Sequence, residues 1–368
     1  MKNLFTTARA VIMLLCLGFS LGAQAVDTTD HLELSYEGTL VPGGDGEFTV
    51  TVSLAGTRIY TAYNMDIHLP EGIELASDEF GYIIEEDNEL WTKVSRTKYS
   101  HTFEFSYGAA GERTIRCYCI STSNTDFNAA SGTLFTFCLK ATPYCKPGSL
   151  DITIDGINFT ALEGGSAVKY VPADETHAIT VGTSSSVSVS VSAANKYSTL
   201  VLPFAAALPD GLEAYSCRSV DGDNLVLEAA SSLAAYTPYI LYAESGYSGT
   251  LTGTVDASAY AEVVSDGYLR GAIVKQQVNS GYVLQNQGSG VKFYNVDGQN
   301  FAIPVGRCWL DVSGSSSKAF EWGDPTAVKA VKTRNATNVY YNIDGTRAQD
   351  PQPGRIYIRN DKKILKLK

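Results

Sequence analysis

Apolar and polar residues alternate through the stretch AYNMDIHLPEGIEL, residues 62–75, until a Pro-Glu-Gly turn stops them. A period of two places alternate side chains on opposite faces of an extended chain and fits a strand, not an amphipathic helix. The pattern recurs in FTVTVSL (Phe48–Leu54) and in SGTLFTFCLKA (Ser131–Ala141). Half-buried strands of this kind must stack in sheets, so the chain is expected to be all-β. Tyr (22) and Gly (33) are abundant and long Leu/Glu/Lys/Ala runs are missing, which agrees with many short strands and turns.

A chain of 368 residues has the length of two domains with an appendage. Residues 1–25 read as a signal peptide: Lys2 and Arg9 are the positive region, Ala10–Leu21 the apolar stretch, and Ala23-Gln24-Ala25 the cleavage site. The chain would therefore be secreted or held at the cell surface, with a membrane involved only through anchoring or sorting. A formal net charge of −11, without a basic face before the last residues, speaks against a nucleic-acid partner.

Residues 26–182 carry about nine or ten strand-like segments: Leu32–Tyr36, Phe48–Leu54, Arg58–Leu69, Tyr82–Ile84, Trp91–Val94, Thr102–Tyr107, Arg113–Ser121, Thr133–Ala141, Ser149–Phe159 and Ala178–Val181. Strands at that spacing make a two-sheet sandwich or jelly roll. The low-complexity stretch 183–190 is expected as a linker, with Thr183–Ser186 flexible and a strand starting at Val187 and running through Val189 and Val191. Residues 191–312 form a second β-rich domain, with Leu225–Leu227, Tyr239–Tyr242, Gly249–Val255, Tyr268–Lys275, Gly281–Gln285, Val291–Val296 and Cys308–Val312 strand-like and Asp-Gly hairpin turns at Asp221-Gly222 and Asp297-Gly298. Residues 313–337 are a second linker, and residues 338–368 read as a small β-hairpin unit too short for its own core.

Three segments of the first domain, Gly44–Leu54, Tyr63–Leu75 and Ser131–Thr160, resemble cohesin-type domains of the carbohydrate-binding superfamily; Met65 stands where an aromatic is common. The resemblance implies a jelly roll that recognises a protein or a carbohydrate. The second domain, with VLPF (Val201–Phe204), TPYILYA (Thr237–Ala243) and GYVLQN (Gly281–Asn286), resembles a β-module of exported Bacteroidetes proteins, which implies that these three segments are strands. The tail, with its Tyr-Asn-x-x-Gly and Gly-x-Tyr-Ile pattern, resembles the sorting segments that end many of them. Together these resemblances imply a non-catalytic protein–protein adhesion or scaffold module, its partner a secreted or surface protein of dockerin-like kind. The alternative is polysaccharide recognition.

For the carbohydrate alternative the candidate residues are Tyr60, Tyr63, Tyr82, Trp91 and Tyr99, because flat aromatic rings stack on the apolar face of a pyranose; core packing is the competing role for each. Catalysis has little support. His31, His68, His101 and His177 form no His-x-x-x-His pair and flank no Gly-x-Ser-x-Gly. Glu85-Glu86-Asp87 with Glu89 is read as a solvated loop, since neighbours on a strand point to opposite faces and cannot form a facing acid pair. Asp221-x-Asp223 lacks the rest of a calcium loop. A β-scaffold hydrolase is thus the least supported reading, and neither cofactor nor metal is expected. Six cysteines follow residue 25: Cys117, Cys119, Cys138, Cys145, Cys217 and Cys308. An even count in an exported chain allows disulfides. Cys117 and Cys119 are parallel on one strand face, which leaves Cys117–Cys138 with Cys119–Cys145, or the reverse, and Cys217–Cys308. Buried free thiols fit the same sequence equally well.

Overall fold

The computed structural model describes residues 25–44, 48–76, 85–86, 93–95, 98–99, 101–107, 113–288, 290–312, 314–322, 356–359 and 362–365. Residues 1–24, Tyr82, Trp91 and most of residues 313–337 lie outside them. Among the described residues the structure is β throughout, apart from one 3₁₀ turn at Ala257–Ala259 capped by Asp256. No helix there is long and apolar enough to cross a membrane.

The chain divides into two compact units. The first comprises residues up to Val189 together with Leu202–Ala206 and Gly249–Tyr260; the second holds the rest. Fourteen strands are described up to Val181: β1 (Ala25–Asp27), β2 (His31–Tyr36), β3 (Phe48–Ala55), β4 (Ala62–His68), β5 (Ile73–Leu75), β6 (Glu85–Glu86), β7 (Lys93–Ser95), β8 (Lys98–Tyr99), β9 (Thr102–Tyr107), β10 (Thr114–Ile120), β11 (Gly132–Ala141), β12 (Gly148–Glu163), β13 (Ser166–Val171) and β14 (Glu175–Val181). One sheet has seven strands in the order β1-β13-β12-β4-β10-β9, with β14 also on β12. The other has five, β2-β3-β11-β5, with β6 also on β11.

Alternation decides which face each strand buries. Tyr63, Met65 and Ile67 of β4, Ile115, Cys117 and Cys119 of β10, and Ile152, Ile154 and Phe159 of β12 point inward. From the second sheet Phe48, Val50, Val52 and Leu54 of β3 meet them, with Phe135, Phe137 and Leu139 of β11. The result is a two-layer sandwich around one apolar core, as the strand spacing implied. Strand β12 keeps its apolar set inward across a bulge between Asp155 and Asn158, where Gly156 takes φ +59°.

Several local expectations are corrected. Residues 58–61 do not extend the strand that starts at Ala62; the Tyr60 hydroxyl instead donates 2.7 Å to buried Asp30, which ties this segment down ahead of the strand. Strand β13 is an addition to the expected set. It returns from β12 through Gly164 and Gly165, both at positive φ (+58° and +83°), a tight hairpin that glycine permits. The Ser/Thr-rich stretch at 183–190 is not a loose joint over most of its length. Ser184–Val191 is strand β15, with Val187, Val189 and Val191 buried and Ser185 Oγ donating 2.6 Å to the Pro143 carbonyl.

The second unit is built on a ten-stranded sheet. Its members in chain order are β16 (Tyr197–Leu200), β17 (Glu213–Asp221), β18 (Asn224–Ala230), β19 (Tyr239–Tyr242), β20 (Val263–Asp266), β21 (Leu269–Ala272), β22 (Tyr282–Asn286), β23 (Val291–Asn295), β24 (Cys308–Leu310) and β25 (Ala319–Trp322). Tyr215, Cys217, Ile240, Leu269, Tyr282, Phe293, Leu310 and Phe320 form its main core. The hairpin turn at Asp221-Gly222 joins β17 to β18, with Asp221 opposite Asn224. Val201–Phe204, expected as a strand, is buried but not extended. At the C-terminus Ile356–Arg359 pairs with Lys362–Leu365 as an antiparallel hairpin.

Candidate functional site

The outward side chains of β4, β9, β10 and β12 are the complement of the buried set, and they are polar. Strand register sets them in rows. Asp155, Asp66 and Arg116 face one another across β12, β4 and β10; Asn158, Asn64, Tyr118 and Glu104 form the next row; Thr153, His68 and Thr114 form a third. Three residue types bind this surface together. Arg116 donates from Nε to Asp66 Oδ1 and from Nη2 to Asp66 Oδ2, both at 2.7 Å, a forked pair at the centre of the face. Asp66 beside it holds the guanidinium proton more tightly than usual. His68 shares a 3.0 Å hydrogen bond between Nδ1 and Thr114 Oγ1, and its Nε2 lies 3.0 Å from Asp155 Oδ2, close enough for an ion pair but misaligned for a hydrogen bond. Asn64 and Asn158 both donate their amides to the Gly156 carbonyl, at 3.2 and 2.7 Å, which the bulge turns outward. Arg113 adds an ion pair with Glu71 beside the third row.

This is a charged and amide-bearing sheet surface with one half-exposed tyrosine, Tyr118, among its polar rows. Such a surface suits docking against another macromolecule, where polar side chains fix register and an aromatic supplies contact area. Among the described residues no three His, Cys, Asp or Glu side chains cluster to hold a metal ion.

Of the aromatic residues singled out from the sequence, Tyr60 and Tyr63 are buried. Tyr60 is 0% and Tyr63 2% exposed. Tyr60 stacks on Phe159 at 4.8 Å and meets Tyr170 edge-on at 5.7 Å. Tyr63 packs among Phe127, Phe135 and Phe159. Both are core, because each falls on an inward position where a large ring fills space between the sheets. Burial pushes both phenol pKa values up. Tyr99 lies in β8 and pairs with Lys93 in backbone register; Tyr82 and Trp91 are outside the described residues.

The cysteine pairings are corrected as well: all six are buried free thiols. Cys138 shares a cross-strand position with Thr49 and lies 3.5 Å from its hydroxyl, on the outer face of its sheet, whereas Cys117 and Cys119 point into the core from the opposite sheet. Cys145 packs against Gly72, beyond the end of β4, while Cys119 lies opposite Tyr63 near the start of that strand. Neither pairing scheme can close across those separations.

The four histidines do not converge. His31 is exposed, His68 belongs to the polar face, His177 sits 2.9 Å from Glu175, and buried His101 packs at a tilt against Phe127, with ring centroids 4.8 Å apart. Burial lowers the His101 pKa. Glu85 and Glu86, expected in a solvated loop, are strand β6 on Phe137 and Thr136; Asp87 and Glu89 lie outside the described residues. The polar face is not among the sites expected from the sequence. Its signal is the set of alternate positions in YNMDIH and TIRCYCI, once the apolar positions are assigned inward.

No family model matches the chain, and no curated protein matches it significantly. Solved structures do. A non-cellulosomal cohesin from the hyperthermophilic archaeon Archaeoglobus fulgidus is 18% identical, with 40% of this chain and 90% of the cohesin covered and a TM-score of 0.27. Type II cohesin A11 from Bacteroides cellulosolvens is 11% identical over 43% of this chain and 99% of its own, with a TM-score of 0.30. Domains D2 and D3 of the major pilin SpaD from Corynebacterium diphtheriae are 13% identical over 73% and 89%, also with a TM-score of 0.30. Overlaps of this extent stand as likenesses and carry no conclusion about partners. The all-β architecture rests on the sheets themselves.

Proposed function

We propose that the chain is an exported, non-catalytic adhesion or scaffold protein whose first unit docks a secreted or surface protein across the outer face of β12-β4-β10-β9. One observation carries this reading: the face is organised about an exposed, forked Arg116–Asp66 pair with Tyr118 beside it. Arginine and tyrosine are the residue types that dominate protein interfaces. The cohesin-like segments of the sequence support the same reading and name a dockerin-like, calcium-loaded module as the partner class to test first. Export and surface location rest on the signal-peptide pattern of residues 1–25 and the sorting-type pattern of the tail. The carbohydrate reading is weaker, because two of its five aromatic residues are core.

The test is capture of envelope and culture-medium proteins, with calcium and with chelator, on the immobilised full chain and on its Arg116→Glu variant. A saturable partner retained by the wild type and lost with Arg116→Glu is the expected result. Equal retention by both chains would remove the face from the account. An Arg116→Ala change alone should alter stability by less than about 1 kcal/mol, since an exposed ion pair is worth little to the fold. A loss of binding would therefore report the interface.

A further inference from the structure

A pocket of about 280 Å³ opens in the second unit between the start of β16, the paired strands β22 and β23, and the segment that leads into β24. It lies near the lower limit of ordinary small-molecule pockets, with room for one hexose-sized ring. Phe301 lines it together with the amide-bearing residues Asn195, Gln285 and Asn286; Tyr197 borders it too, but its ring packs on Tyr242 and the main core. Asn286 Nδ2 donates 2.9 Å to Asn195 Oδ1, which clips one rim.

Arg307 also lines the pocket, and its state sets it apart. Arg58, Arg113, Arg116, Arg218 and Arg270 each pair with a carboxylate. Among the described residues no carboxylate reaches Arg307. Its Nη1 donates 2.5 Å to Ser198 Oγ and 2.9 Å to the Thr199 carbonyl, both neutral acceptors. Those bonds hold the guanidinium at Nη1. The support is rigid in turn: the Thr199 hydroxyl accepts 3.0 Å from the Cys308 amide and lies 3.4 Å from the Cys308 carbonyl, tying β16 to β24. In a chain of formal net charge −11, an exposed arginine at the border of a pocket, with no carboxylate partner among the described residues, suits an anionic ligand.

We infer that this pocket binds a uronic acid, free or as the terminal residue of an acidic saccharide. The carboxylate would pair with the Arg307 guanidinium, the apolar ring face would lie against Phe301, and the hydroxyls would meet the amides. Such binding is independent of the docking face of the first unit.

The experiment is calorimetric titration of the full chain with galacturonate and glucuronate, against galactose, glucose and succinate. A saturable uronate signal is expected, with neutral sugars and succinate weaker by about tenfold or more, the worth of one charge-assisted hydrogen-bonded contact. Arg307→Gln should lose about tenfold or more. Asn195→Ala, at an exposed position, should lose a smaller factor. Val291→Phe, which fills the pocket and leaves Arg307 in place, should also lose uronate, so the outcome does not hang on one variant's folding. Absence of uronate binding, equal binding of neutral sugars or succinate, or unchanged binding by folded Arg307→Gln or Val291→Phe would each overturn it.

Discussion

Asp30 is buried, with three bonds converging on its carboxylate: from the Thr57 amide at 2.9 Å, the Thr57 hydroxyl at 2.9 Å and the Tyr60 hydroxyl at 2.7 Å. Burial pushes its pKa up, but the hydrogen bonds from Tyr60 and Thr57 outweigh burial, and the folded value lies below 3.8. A carboxylate with a depressed folded pKa gives its stabilisation above the unfolded value and loses it as pH falls through the folded one. Asp30→Asn is therefore expected to cost about 1–3 kcal/mol near neutral pH, since it weakens bonds to a charged acceptor. Its deficit against wild type should shrink below about pH 4 in urea melts run across pH. A deficit independent of pH would show that the carboxylate's charge plays no part. The thiols give a second prediction at this scale. Burial raises the pKa of Cys145 and Cys308 to about 12 and of Cys217 to about 11, and pushes those of Cys117 and Cys119 up as well. An aromatic disulfide reagent should leave these cysteines unlabelled in the native protein and label them in denaturant. Denaturing mass spectrometry should find no mass change on reduction at these positions.

At the scale of single elements, the turn after β4 shows how composition becomes geometry. Pro70-Glu71-Gly72-Ile73 closes with the Ile73 amide donating 3.2 Å to the Pro70 carbonyl, and Gly72 adopts φ +83°. A Cβ at Gly72 would meet Cys145 atoms at 3.0 Å, whereas one at Gly38, with φ +85°, meets nothing within 4 Å. Gly38→Ala should cost the backbone strain alone, about 1–3 kcal/mol. Gly72→Ala should cost more, and the difference in denaturant midpoint measures the Cys145 contact. This turn is legible because proline and glycine punctuate a strand with a clear period. The Gly164-Gly165 pair is an equally direct turn signal, but SAVKYV after it lacks the full alternation that would mark a returning strand. Strand β17 is hidden for a related reason: Ala214, Tyr215, Ser216 and Cys217 are buried in succession, so no period of two marks it. Tyr60 and Tyr63 are core and not surface because alternation tells which residues share a face but not which face is wet. The neighbouring strands decide that, and Phe159, stacked on Tyr60, comes from a segment about a hundred residues further along the chain.

That distance in sequence governs the whole molecule. Ala25 pairs with Lys169, His68 with Thr153, and Phe48 with Leu139, so few of the sandwich's central pairings are local. Each such pairing must close a long loop before it gains any contact energy, which slows folding in proportion to sequence separation. Strand β12 is the extreme case, since it meets β4, β13 and β14 and supplies Ile154 and Phe159 to the core. Refolding on dilution from denaturant is accordingly expected over milliseconds to seconds, with more than one phase for a chain of this size. Phe159→Ala should remove about 3–5 kcal/mol from a core it fills. If β12 docks after the transition state, that loss will show mainly as faster unfolding, with the folding limb little changed. Stopped-flow chevrons of wild type and Phe159→Ala measure both quantities. Relaxation in microseconds, or a folding limb slowed by the whole of the lost stability, would mean that β12 nucleates the sandwich instead of closing it.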